Sequence, residues 1–215
     1  NEIYQYFYIN LLSQNDVGYE NLLFLNSVSY TQNSSENAFI TLNQLFDRKE
    51  GLILLTGGYQ NIFNNLLFHN KYDWASNLIK RFKQEFVSNL YIEIQRIGDP
   101  IQIQSEKLLL KLSYENEIPL VATNEVCFES PDYYDAHEAL LCIDKKEYLS
   151  QTNRKKFPKE TYFKSAQEMS RIFADIPESI SNTIEIAKRC SSRPKPKDPT
   201  LPNFSTHDKS ENDIL

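Results

Sequence analysis

The chain holds 215 residues, 40% of them hydrophobic, with 29 Asp and Glu against 23 Lys and Arg and a formal net charge of −6. That is enough apolar material for one sizeable domain with a tail, and the acidic balance argues against a duplex-binding surface spread over the whole chain. No apolar run approaches membrane-spanning length and no signal peptide is present, which points away from a membrane and towards the cytoplasm.

The chain opens at Asn1, and its first residues already look like a strand, as expected of a segment cut from something longer. From Ile3 to Leu12, Ile3, Phe7, Ile9 and Leu11 alternate with Tyr4, Tyr6 and Tyr8. Asp16-Val17-Gly18 reads as a break, Tyr19 to Tyr30 as a helix, Asn33 to Asn37 as a polar loop and Ile40 to Phe46 as a short helix with Thr41 or Asn43 near its start. Asn33-Ser34-Ser35 fits a glycosylation pattern that chance supplies in a chain rich in Asn and Ser. Gly51 to Thr56 is a buried strand closed by Gly57-Gly58, a tight turn with no Lys-Ser or Lys-Thr after it to make a phosphate loop. Tyr59 to His69 and Tyr72 to Val87 are helices, the second with Trp74, Leu78, Phe82 and Phe86 on one stripe that reads as core. Asn89 to Ile97 is a strand with Leu90, Ile92 and Ile94 on one face, stopped by Gly98-Asp99-Pro100, and Ile101 to Glu117 is a helix.

Leu120-Val121-Ala122 is a short strand buried on both faces. Its loop carries Glu125 and Cys127, and Ser130-Pro131-Asp132 signals the next helix with Ser130 as its N-cap. In an α/β sheet, chemistry sits where a strand hands over to its loop, so Glu125 and Cys127 stand where a reaction is sought first. Ser165 opens a capping box, with Met169, Ile172 and Phe173 inward. A last helix starts near Asp175, with Ile176, Ile180, Ile184, Ala187 and Cys190 on its buried side. Arg193 to Pro202 is expected to run extended as a linker, with a loose tail after it. Strands alternating with helices point to βα units and a mainly parallel sheet.

The chemistry-bearing residues are sparse. Cys127, Cys142 and Cys190 form neither a disulfide framework nor a zinc knuckle and read as reduced thiols. His69, His137 and His207 are scattered. Glu125 and Cys127 could supply two ligands, and Asp135, His137 and Glu138 further ones, but too few converge for a hydrolytic metal site. Cys127 fits an apolar or capping environment better than a nucleophile's, and His137 a hydrogen bond that pins its helix to the preceding loop. His69 reads as a surface or capping residue. Arg154-Lys155-Lys156 and Arg193, Lys195 and Lys197 read as solvated surface rather than phosphate contacts.

The order of phrases says more. VGYENLLFLNSVSY (17–30), GLILLTGG (51–58), YIEIQRIG (91–98), IPLVATNEVCF (118–128), AHEALLCI (136–143), FADIPESISNTIEIAKRC (173–190) and LPNF (201–204) occur in sequence. The set closely resembles the amino-terminal part of the alpha subunits of bacterial DNA polymerase III, the replicative C-family polymerases. The resemblance implies an α/β chain that is part of a distorted, TIM-like β/α barrel of the PHP type, with residues 1–190 its carboxyl-terminal part and the amino-terminal strands missing. Residues 191–215 would be the linker and the start of the polymerase palm. A barrel without its first strands leaves unpaired edges, so the chain alone is expected to aggregate or to need a partner.

In family members with a working PHP site, four metal ligands fall on Tyr8, Gly58, Glu125 and Cys127. A phenol, a bare backbone, a longer acid and a thiol stand there instead. The resemblance therefore implies a degenerate site, no catalytic residue and no cofactor in this chain, with magnesium serving the parent polymerase. Of the four, Glu125 and Cys127 retain any ligand chemistry. The implied role is a scaffold that docks the proofreading exonuclease subunit, DNA being held by the rest of the alpha chain. The alternative is a metal-dependent 3′–5′ exonuclease or phosphoesterase of the PHP family.

Overall fold

The computed structural model describes residues 6–32, 38–58, 60–154, 156–196 and 198–199. Among them a four-stranded sheet runs in the order β1 (Asn10–Ser13), β2 (Leu52–Leu55), β3 (Leu90–Ile94), β4 (Leu120–Ala122). The last two pairings are parallel, as expected, but β1 runs antiparallel to β2, with Asn10 opposite Leu55 and Ser13 opposite Leu52. The sheet is therefore mixed. The antiparallel turn has a consequence: the start of β1, not its end, lies at the carboxyl ends of the other strands. β1 is also shorter than the alternation from Ile3 predicts, since Tyr6 to Ile9 carry no strand pairing, and Ile3 and Tyr4 lie outside the described residues.

Eight α-helices are described. α1 (Asp16–Thr31) begins where a break was expected. The Asn15 side chain accepts from the Gly18 amide at 3.0 Å, so the polar run is a helix cap and not a stop. Gly18 is there for room: a Cβ on it would lie 1.9 Å from the Gly51 carbonyl oxygen. α2 (Leu42–Asp47) starts with a capping box between Thr41 and Gln44, and α3 (Ile62–Phe68) is capped by Asn61. α4 (Tyr72–Phe86) buries Ala75, Ile79, Phe82 and Phe86, while Trp74 is 66% exposed. A step of four residues overshoots a 3.6-residue turn, so a stripe at strict fours drifts off the buried face and leaves Trp74 outside. α5 (Pro100–Glu115) has Asp99 as its cap and Pro100 in its first turn. After β4, Pro131–Tyr133 form a 3-10 turn before α6 (Tyr134–Lys145); Ser130 makes no side-chain capping bond there, contrary to its expected role. α7 (Ala166–Ile172) opens with the Ser165–Glu168 capping box, and α8 (Pro177–Arg189) follows.

The sheet has helices on both faces. Leu52, Leu54, Leu90, Ile92 and Leu120 pack with Phe63, Phe82, Leu109 and neighbours from α3, α4 and α5. Ile53, Leu55, Tyr91 and Val121 face the other way, against Ile186 of α8, with Leu12 and Cys190 at the margin. α8 is turned relative to its expected buried side: Ile184 and Ala187 are exposed, while Ser179 and Ile186 are buried. The reason is polar. α8 lies along β4, and Asn182 Nδ2 donates to the Leu120 carbonyl at 2.7 Å, so the helix presents donors as well as methyls to the sheet. Arg96 ties β3 to the last helices: its guanidinium meets Glu106 and Asp175, each at 2.6 Å, donates to the Ile172 carbonyl at 2.6 Å and lies over the Phe173 ring.

Beyond α8, residues 191–196 have neither helix nor strand. Ser191 donates twice to the Gln14 carbonyl and Lys195 pairs with Asp16 at 2.8 Å, so the segment runs back past the start of α1. The expected loop at Asn33 to Asn37, with its glycosylation tripeptide, and the tail from Leu201, including His207, lie outside the described residues. No helix among the described residues is long and apolar enough to cross a membrane.

The contact between Gly18 and Gly51 joins α1 to β2 backbone to backbone, and neither side has a flexible side chain to yield. Gly18→Ala is expected to cost about 2–3 kcal/mol of stability, the upper end for a methyl forced into a packed site. A lowered midpoint of chemical denaturation, with unchanged slope, checks it; an unchanged midpoint contradicts it.

Candidate functional site at the carboxyl ends of the strands

Alternation along the strands carries the α8 face of the sheet from an apolar floor to a polar rim. Beyond Leu12, Leu55, Tyr91 and Val121 on that face come Asn10, Gly57, Glu93, Gln95 and Thr123. Glu93 is the residue that sequence reasoning passed over. It sits in the middle of β3, where every residue is buried, and is itself only 3% exposed. One carboxylate oxygen accepts from Asn10 Nδ2 at 2.9 Å; the other accepts from the Thr123 hydroxyl at 2.5 Å and Gln95 Nε2 at 3.5 Å. The Gly57 amide adds a backbone bond, and the Glu93 amide donates to the Thr56 hydroxyl at 3.0 Å. Gln95 Nε2 also donates to Thr123 Oγ1 at 3.0 Å. One carboxylate thus joins the start of β1 to the carboxyl ends of β2, β3 and β4. Its signal in the sequence was an acid set inside an otherwise apolar strand.

Burial pushes the Glu93 carboxyl above the usual carboxylate range. The bonds from Thr123, Asn10 and Gly57 oppose that shift, and the charge of Glu125 adds to it. The surrounding groups are donors, which suits the ionised, acceptor-only form.

The four positions assigned by resemblance gather around this rim, but not as a ligand set. Tyr8 reaches it as backbone: a Cβ on Gly57, which holds φ +96, would stand 2.4 Å from the Tyr8 carbonyl oxygen, while the Tyr8 ring is 70% exposed. Gly58 lies under the Gln95 amide, whose Nε2 would be 2.7 Å from a Cβ placed there. Glu125 is half-buried and close enough to bear on both Glu93 and Cys127. Cys127 is turned towards another segment: its amide donates to the Thr161 carbonyl at 2.8 Å, and its thiol is hydrogen-bonded to Thr161 and held above its usual pKa chiefly by burial. Among the described residues no group of three or more His, Cys, Asp or Glu is placed to hold a metal ion.

Two expectations for neighbouring residues are corrected. His137 does not pin its helix through Nδ1, which is buried without a hydrogen-bond partner; the ring packs between Phe128 and Phe157, at 5.3 and 5.4 Å. Arg154 is not a solvated surface charge. It is buried and ion-paired with Glu138, which also accepts from the Phe157 amide at 3.4 Å, so Glu138 is spent on holding the loop after α6. Lys155 and Lys197 lie outside the described residues; Lys156 and Arg193 are exposed, and Lys195 is paired with Asp16. His69 caps the exposed end of α3, its Nδ1 2.9 Å from the Asn65 carbonyl, as a surface histidine would.

Comparison with known proteins finds the following likenesses. The PHP domain model matches residues 2–97. The DNA polymerase III subunit alpha of Caulobacter vibrioides is 39% identical over 199 residues, which are 92% of this chain and 17% of that protein. Its counterpart in Rickettsia bellii is 36% identical over 208 residues, 96% of this chain and 18% of that protein. The Haemophilus influenzae protein of the same name is 32% identical over 212 residues, 98% and 18%. The chain is similar over nearly its whole length to one segment of these proteins, and spans less than a fifth of the length of those curated relatives.

A carboxyl whose pKa is raised by folding adds stability below the pKa it has in the unfolded chain and loses it as pH rises through the folded value. Wild type should therefore lose part of its advantage over Glu93→Gln as pH rises from the ordinary carboxylate range through the raised folded value, the difference then levelling. Denaturation midpoints of both proteins across that range check it; a difference constant with pH contradicts it.

Proposed function

We propose that the chain is a segment of a bacterial DNA polymerase III alpha subunit whose PHP domain serves as a metal-free scaffold. The observation that carries this reading is the state of Gly58 and Tyr8: the Gln95 amide covers the one, and the ring of the other is exposed, so two of four ligand positions offer nothing to an ion. The mixed sheet would be one part of a distorted β/α barrel. Residues 1–190 would be the carboxyl-terminal part of the PHP domain, and residues 191–215 would lead into the polymerase palm. The parent chain would act as a DNA-directed DNA polymerase in the cytoplasm, using magnesium and holding DNA outside this segment. The PHP scaffold would brace that body and dock the proofreading exonuclease subunit. The corresponding names of the relatives support the parentage.

A second reading, a metal-dependent 3′–5′ exonuclease or phosphoesterase, has one observation on its side. Glu125 lies near both Glu93 and Cys127, so a carboxylate and a thiol stand within electrostatic reach of each other.

Metal analysis and a nuclease assay separate the two, on this chain and on a complete alpha subunit containing it. The scaffold predicts zinc and manganese well below one ion per chain, and no cleavage that Cys127→Ala or Glu125→Ala removes. Stoichiometric metal, with cleavage lost in Cys127→Ala, overturns it. Pull-down of the exonuclease subunit by the complete alpha subunit tests the docking role, and failure to bind contradicts it.

A further inference from the structure

We infer that Glu93 is a latch: its carboxylate fastens the Tyr8–Ser13 segment and the Thr123–Cys127 loop to the sheet by hydrogen bonds, doing at this rim what bound ions would otherwise do. The inference deepens the metal-free scaffold and rests on it.

Three features support the latch. The contacts of Glu93 divide among separate pieces of chain: Asn10 from β1, Thr56 and Gly57 after β2, and Thr123 after β4. No other single side chain described at the rim reaches all of these. The start of β1 is a sheet edge, held otherwise by its pairing with β2 and by the half-buried Phe7 and Ile9 against the core. Asn10 is exposed, and the burial of β1 increases only beyond it. The space above Gly58 is already taken by the Gln95 amide, which belongs to the same lattice through Thr123 and Glu93. A side chain at position 58 would have to evict that amide and break its bonds. Gly58 and Gln95 are thus a steric pair, and the lattice fills the place it stabilises. Asn10 at the mouth and Thr123 at the base make two arms that can be cut separately, and both arms end on Glu93. Cutting either should free its own segment, whereas removing the charge of Glu93 should free both.

Amide hydrogen exchange, read on this segment within a complete alpha subunit that contains it, reports on each arm. Asn10→Ala should accelerate exchange across residues 8–13 by tenfold or more and leave α4 unchanged. Thr123→Val should do so across residues 123–127. Glu93→Gln should accelerate both, and adding Asn10→Ala to it should bring no further gain across residues 8–13. Manganese or EDTA should leave the wild-type rates unaltered. Unchanged exchange in Asn10→Ala and Glu93→Gln overturns the latch, as does wild-type exchange slowed by manganese. If Glu93→Gln does not fold, Asn10→Ala decides alone, because Asn10 is an exposed edge residue. The two proposals fail separately. Stoichiometric metal with these rates unaltered by it would sink the scaffold and spare the latch. Rates unaffected by the substitutions in a metal-free chain would sink the latch and spare the scaffold.

Discussion

A carboxylate buried on a central strand between two parallel neighbours has to be satisfied, and the rest of the rim follows from how Glu93 is satisfied. Left without partners, an ionised group in such a place would neutralise itself or unfold its surroundings. Here the donors come from each strand end in turn, so meeting the needs of one charge fixes four backbone segments. That explains why β1 runs antiparallel yet begins at the carboxyl edge: only in that direction does Asn10 arrive beside Glu93. It also explains two small residues in a row after β2. Gly57 admits the Tyr8 backbone and Gly58 admits the Gln95 amide.

The remaining ties brace the α8 side of the sheet. Arg96 connects β3 and α5 to the turn before α8 through Glu106 and Asp175, and the bond to Arg96 holds the Asp175 carboxyl below its ordinary range. At the other end of the same helix, Arg189 reaches the Tyr91 hydroxyl and the Asn89 side chain. α8 is thus pinned at both ends and bonded to β4 in the middle.

Much of the fold was legible because local signals were strong. The Thr41 and Ser165 capping boxes, Asp99 with Pro100, and the buried runs of β2, β3 and β4 each state their structure within a few residues. Three misreadings share a cause: a local signal overruled by a distant partner. Asp16-Val17-Gly18 looks like a break until Gly51 supplies the reason for the glycine. Ile184 looks buried until the Leu120 carbonyl turns the helix to offer Asn182. Arg154 looks solvated until Glu138, sixteen residues earlier, is brought against it. At the candidate site, the structure brings Gly58 and the Tyr8 backbone near the rim where Glu93 lies. The sequence did not expose Glu93, because a buried acid is recognisable only when its donors, spread from Asn10 to Thr123, are seen together.

Diffraction from crystals of the chain soaked in manganese, recorded with the metal's anomalous signal, is the most direct measurement of whether hydrogen bonds or ions hold this edge. The expected map has no anomalous peak among Glu93, Glu125 and Cys127, and shows the Gln95 amide seated over Gly58 as before. A peak at bonding distance from the Glu125 carboxylate and the Cys127 thiol, with Gln95 displaced, would contradict it.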